Sequence, residues 1–313
     1  MQPAFSVIFL TTLAGAAQGL FLALYGTELS GLGALTALES QQFLSTASAV
    51  ALVLTGLGLL ASFFHLGHPE RAWRSATMWR TSWLAREVIA LPLFMLGLFL
   101  YAVAHWFGLG NTKLIGAVTV LLCLALFVAT AMIYASVRFL QEWASPLTLV
   151  NYLLLGCASG LTLATLLAAG FGMMALVTPY ALAAAALTLL AWVTRSASLV
   201  RNARLKPKSS LQSAIGIKHP RIVQKAQGFM GGSFNTREFF HGRSAQLLRS
   251  VKWAFLLLVF PLPLLSLALG VNTASTVLLL LAFVLQYLGL LAERWFFFAQ
   301  ANHPQNLYYQ TIS

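Results

Sequence analysis

The chain has 313 residues, of which 59% are hydrophobic and only 8% charged, where an ordinary soluble domain carries about 25% charged residues. With a mean hydropathy of +0.81, so much apolar surface does not fit inside one soluble core; the bilayer is part of the solvent, and a soluble enzyme is excluded. The seven acids are all Glu, and nineteen Lys and Arg raise the net charge to +12. These cations sit in loops between apolar runs rather than on a soluble basic patch, which speaks for membrane orientation and against a nucleic-acid partner.

A crossing takes about 20 mostly apolar residues. In chain order, eight stretches qualify: Phe5–Leu29, Phe43–Phe64, Leu84–Phe107, Leu114–Val137, Leu147–Ala169, Met173–Val193, Val251–Gly270 and Ser275–Phe298. The expected fold class is therefore an all-α integral membrane protein, a bundle of eight transmembrane helices forming one domain over residues 1–313. The first run has no basic segment before it and is too long for a signal-peptide core, so it reads as a span. Pro92, Pro179, Pro261 and Pro263 lie within spans, where proline kinks a helix without abolishing it.

Two connections stand out. His65–Trp83 is a polar segment of 19 residues rich in Arg and Trp. The segment 195–250 is 56 residues long, carries most of the charge and shows no strong helix or strand period. It includes Lys206-Pro207-Lys208 and the turn-rich stretch Gly228 to Asn235. A loop of this length is functional or disordered, and its Gly, Phe and Asn content favours an ordered, basic, partner-docking loop. No internal repeat of the inverted transporter type is evident.

Eight spans put both termini on one side, here called side A. Of the nineteen Lys and Arg, only Lys113 falls on the opposite side B. The positive-inside rule then makes side A cytoplasmic, with the termini and docking face inside a bacterial inner membrane. Cys123 and Cys157 lie inside apolar runs and read as buried, reduced thiols. Two thiols cannot hold an iron–sulfur cluster, so none is expected in this chain. No haem is expected either. Only His65 and His105 lie at or near spans, on opposite sides, while His68, His219, His241 and His303 fall in loops or the tail.

Ionisable groups at membrane depth cost about 2.5–3.5 kcal/mol on insertion scales and need a reason. His65 ends the second span, Arg86 and Glu87 begin the third, and Glu293 and Arg294 lie near the end of the eighth, all toward side A. One reading makes these interfacial charges that snorkel to water, with Trp73, Trp79 and Trp83 as an aromatic belt. The other joins them in a cleft that handles a proton and a polar head group, with a histidine and a partly buried carboxylate as proton acceptors.

The run His65-Leu66-Gly67-His68-Pro69-Glu70-Arg71-Ala72-Trp73, followed by Glu87 at the start of the next span, resembles the H-L-G-x-P-x-R-A segment of the dimethyl sulfoxide reductase membrane anchor subunit family. The last span, with Glu293-Arg294-Trp295-Phe296-Phe297-Phe298, is also similar to that family's last helix. The resemblance covers essentially the whole chain, while the loop 195–250 looks like an extension carried by only some members. It implies a complex for anaerobic respiration with a molybdopterin catalytic subunit and a ferredoxin-like 4Fe–4S subunit, held at the membrane by an anchor that oxidises menaquinol or another quinol. It also implies that His65 and Glu87 bind the quinol and accept its proton, with Arg71 following more weakly. Arg86, Glu293 and Arg294 are added as supporting residues from depth and side alone. The expected site is a side A cleft between the second, third and eighth spans. A purely structural anchor without a quinol site and a secondary transporter remain the competing readings.

Overall fold

In the computed structural model, the described residues are 1–33, 36–64, 66–223, 225 and 241–304. His65 and the stretch Gly228 to Asn235, both singled out above, lie outside them. Among the described residues, eight helical segments are long and apolar enough to cross a membrane. They are α1 (Phe5–Ser30), α2 (Ala37–Phe63), α3 (Trp83–Trp106), α4 (Thr112–Ala135), α5 (Pro146–Gly170), α6 (Met174–Ala203), a broken seventh segment made of α8 (Ala245–Val259) and α9 (Pro261–Asn272), and α10 (Thr276–Ala299). A short α7 (Leu211–Ile215) lies in the connection after α6, and a 3-10 helix, Pro69–Met78, in the connection before α3.

Local chemistry sets the helix starts. Thr36 and Glu39 form a reciprocal capping box at α2. Ser82, Ser145, Ser244 and Ser275 cap α3, α5, α8 and α10 with their side-chain oxygens, and Pro146 occupies the first turn of α5. The seventh segment breaks at Phe260, whose backbone (φ −111°, ψ −81°) leaves the helical region immediately before Pro261. Pro92 and Pro179, by contrast, sit inside continuous helices.

The helix bounds differ from the apolar runs most in three places, one of them α8, which starts at Ala245 under its Ser244 cap, six residues before the expected Val251. α2 starts at Ala37, six residues before the expected span, because the capping box initiates the helix outside the apolar stretch. α6 runs on to Ala203, so Arg195 is not the first residue of the long loop; it lies within a transmembrane helix and is buried. A charged residue ends a hydropathy window without ending a helix.

α1 and α5 form the centre of the bundle. α1 packs on α2, α4, α5 and α10, and α5 packs on α1, α4, α6 and α10. Their approach is set by Gly15 and Gly19 on α1 against Gly156 and Gly160 on α5. A methyl group at Gly19 would meet the Gly156 carbonyl and come within 2.7 Å of Cys157 Cα; one at Gly160 would overlap the backbone of Gly19 and Leu20. Small residues four apart let two helix backbones touch, the usual source of tight packing where lipid removes the hydrophobic drive. The polar residues at mid-depth tie helices together. Gln18 donates to the Cys123 carbonyl at 2.8 Å, Thr194 donates to Asn151 at 2.8 Å, and Gln286 donates to Thr188 at 3.1 Å. Leu121, Leu182, Val193 and Val277 are each about two-thirds exposed or more, on the rim that faces lipid hydrocarbon.

Candidate functional site

The side A half of the bundle holds two buried carboxylates in different settings. Glu87 lies in the second turn of α3, whose start is fixed by the Ser82 cap on the Ala85 amide at 3.3 Å. It is 8% exposed, and its Oε1 accepts a hydrogen bond from the Thr130 hydroxyl of α4 at 2.5 Å. No Lys, Arg or His ion-pairs with it among the described residues. The preceding residue points elsewhere, since neighbours on a helix are turned by about 100°. Arg86 donates to the Trp79 and Arg80 carbonyls at 2.9 and 2.8 Å and stacks on Trp83 with its guanidinium carbon 4.1 Å from the ring centroid.

Glu293, on α10, is 1% exposed and clamped from both sides. Its Oε1 lies 2.7 Å from Arg195 Nε of α6, and its Oε2 lies 3.0 Å from Arg294 Nε. The Arg195 guanidinium also reaches Ser198 at 3.4 Å and lies over the Phe255 ring of α8. The Arg294 guanidinium sits 3.8 Å from the Tyr152 ring centroid of α5. These charges do not snorkel. They are buried, and a buried charge persists only when paired.

The two settings meet at a cavity of about 20 Å3. Glu87, Thr130, Gln18, Tyr152, Ser159 and Arg294 supply most of its polar wall, and Leu91, Phe127 and Leu290 part of its apolar wall. The volume suits a water molecule and is far below that of a six-membered ring. Two guanidiniums and two carboxyl groups thus lie in one buried region.

The cavity that Glu87 lines is built on α1, α3, α4, α5 and α10 and takes no residue from α2, and His65 of the expected cleft lies outside the described residues. Glu87, Arg294 and, through its ion pair, Glu293 are brought together. Arg71 is not; it is exposed on the 3-10 helix and pairs with Glu70 at 3.6 Å, while His68 lies 3.1 Å from the same carboxylate. Arg86 does not line the cavity either. Thr130, Tyr152 and Arg195 belong to this buried cluster and are missed by the sequence reading. A threonine and a tyrosine in apolar runs carry no signal of their own, but Arg195 is visible as a charge two residues past an apolar window's edge.

Side B holds a second buried polar cluster. Glu28 of α1 accepts from Tyr101 of α3 at 2.7 Å and from Thr112 of α4 at 2.5 Å, and His105 Nε2 lies 3.6 Å away. Tyr101 and His105 are one helical turn apart with their rings 4.6 Å apart, a spacing that is readable from the sequence. Among the described residues, no group of three or more His, Cys, Asp or Glu side chains could hold a metal ion.

Comparison with known proteins agrees with this architecture. The chain is 54% identical to a sulfite dehydrogenase subunit of Allochromatium vinosum, over the full length of both chains. The family model described as DMSO reductase anchor subunit (DmsC) matches residues 1–309. The chain belongs to the DMSO reductase anchor subunit family and is a multi-pass membrane anchor of a molybdoenzyme complex.

Proposed function

We propose that this anchor exchanges electrons and protons between the quinone pool and an iron–sulfur subunit of its complex, and that Glu87 carries the proton. The observation behind this reading is the setting of Glu87: a buried carboxylate with a hydroxyl partner and no cation paired to it, beside a water-sized cavity. A carboxylate in such a place can change protonation without breaking an ion pair. Glu293, bracketed by two guanidiniums, is their counter-ion and serves to hold Arg294 at the cavity wall.

The quinone ring does not fit in the cavity itself, so it docks outside it, at the side A ends of α2 and α3, where His65 hydrogen-bonds one quinone oxygen. Protons then move between the ring and Glu87 directly or through one water, with the Thr130 hydroxyl orienting the carboxylate. Arg71, exposed beside Glu70, is assigned to the contact with the partner subunit rather than to the proton site. The basic connection after α6 wraps an acidic face of the ferredoxin-like subunit, and a molybdopterin subunit beyond it performs the terminal chemistry. The charge bias puts side A and both termini in the cytoplasm of a bacterial inner membrane.

The full-length similarity to a sulfite dehydrogenase subunit favours one direction of flow. Sulfite and water give sulfate, two protons and two electrons; the electrons pass through the iron–sulfur subunit, and quinone takes two electrons and two protons to become quinol. The family description favours the reverse reading, in which menaquinol is oxidised and an S-oxide such as dimethyl sulfoxide is reduced. Glu87 serves both directions, as proton donor in the first and acceptor in the second.

The test is binding of a hydroxyquinoline N-oxide to the purified complex, by fluorescence titration of wild type, His65→Ala and Glu87→Gln. Stoichiometric binding weakened at least ten-fold in either variant supports the site. Absence of binding in wild type, with the partner subunits present, reduces the chain to a structural anchor.

A further inference from the structure

A lipid-facing groove of about 580 Å3 runs between α3 and α4 on the outer side of the Glu87–Thr130 contact. Its α3 wall is Trp83, Arg86, Ile89, Ala90 and Leu93, one face of the helix; its α4 wall includes Ala125, Val128 and Ala129, and Trp79 closes the side A end. From Trp83 to Leu93 the groove descends about 15 Å into the bilayer at 1.5 Å per residue. Its depth is made by small side chains, with Ala90 and Ala129 as a buried floor. Its lining below the rim is wholly apolar.

Arg86 is the cation among the groove's lining residues; Arg80 adjoins the groove through Trp79, and Arg74 lies farther back in the same connection. Arg74, Arg80 and Arg86 lie over the rings of Trp73, Trp79 and Trp83, at 5.7, 5.4 and 4.1 Å. None of the three forms an ion pair with a carboxylate among the described residues. Among the described residues, the acids of this side are otherwise engaged: Glu70 with His68 and Arg71, Glu293 with Arg195 and Arg294, Glu87 with Thr130, and Glu142 with Asn302 at 3.3 Å. Arg86 is pinned by its bonds to the Trp79 and Arg80 carbonyls, which holds the rim in place over the groove.

We propose that this groove is a binding site for one anionic phospholipid, with its phosphate at Arg80 and Arg86 and an acyl chain lying against Ala90 and Ala129. Charge decides the occupant. A quinone is neutral and gains little from guanidiniums without counter-ions, whereas a phosphate accepts their hydrogen bonds and sits at the depth where indole rings gather. The bound chain covers the α3–α4 seam directly outside the Glu87–Thr130 contact. The site stands independently of the proton role given to Glu87.

The experiment is native mass spectrometry of the full-length chain in detergent, titrated with phosphatidylglycerol or phosphatidylcholine. Wild type should retain one phosphatidylglycerol in preference to phosphatidylcholine. Arg80→Gln and Arg86→Gln should each weaken that retention by about five-fold, and Ala129→Leu, which fills the floor, should weaken it comparably. The Arg80 side chain has no hydrogen bond to the backbone among the described residues, so Arg80→Gln keeps the test valid if Arg86→Gln disturbs folding. Equal retention of the two lipids, or no change in Arg80→Gln and Ala129→Leu, overturns the proposal. So does loss in Ala129→Leu alone together with displacement of the lipid by a short-chain quinone, which assigns the groove to a neutral ligand. Unchanged lipid retention with loss of the co-purifying iron–sulfur subunit in Arg80→Gln overturns it as well, and makes the rim a protein-docking surface.

Discussion

Arg86-Glu87 and Glu293-Arg294 are near mirror images in the sequence: an acid beside an arginine, close to the side A end of a span. The structure treats them oppositely. At the first pair the helix turn separates the two side chains, sending Arg86 out to the Trp79 and Arg80 carbonyls and Glu87 inward to the Thr130 hydroxyl. At the second pair both side chains go inward, and Arg195 of α6 joins them. The pairing of charge, rather than depth or identity, separates a carboxylate with a single hydroxyl partner, the one proposed to exchange a proton, from one that is a structural counter-ion.

Four substitutions sharpen or break this contrast. The largest effect is expected at Glu293→Leu, which leaves Arg195 and Arg294 buried without a counter-ion; a loss of about 3–5 kcal/mol should show as a lowered thermal midpoint of the detergent-solubilised chain. A midpoint equal to wild type would mean that the triad is not a structural clamp. Glu87→Gln should act on rate instead. Quinone-linked turnover of the complex falls by about 100-fold or more, while turnover with soluble electron carriers that bypass this chain persists. Gly160→Ala tests whether the frame around both carboxylates depends on the α1–α5 contact. The added methyl overlaps the α1 backbone, and overpacking of this kind costs about 1–3 kcal/mol. The smallest change is expected at Gln18→Leu, which removes one bond between α1 and α4. Such bonds average about 0.6 kcal/mol in membrane bundles, and denaturant unfolding in detergent can resolve it.

The span count is legible because hydrocarbon thickness leaves one way to read long apolar runs. The motif from His65 to Trp73 points to the family, and the glycines at 15, 19, 156 and 160 carry the α1–α5 contact in plain spacing, although hydropathy alone passes over them. The partners of the buried charges are not legible. Arg195 stands at the edge of an apolar window and reads as the start of a loop, because hydropathy scores residues and not the ion pair that makes a buried guanidinium tolerable. Thr130 and Tyr152 reach the cavity only through the way α4 and α5 pack against α3 and α10. Arg71, inside the motif, is carried away from the cavity by the 3-10 turn and ends exposed beside Glu70.

The most direct test sets the two carboxylates side by side in one complex, as Glu87→Gln and Glu293→Gln. Two quantities are measured: the ratio of quinone-linked to soluble-carrier turnover, and the thermal midpoint. The account predicts that Glu87→Gln lowers the ratio by about 100-fold or more and leaves the midpoint near wild type, while Glu293→Gln lowers the midpoint and preserves the ratio in the protein that remains folded. A preserved ratio in Glu87→Gln, or its collapse in a stably folded Glu293→Gln, would contradict the assignment of the proton to Glu87.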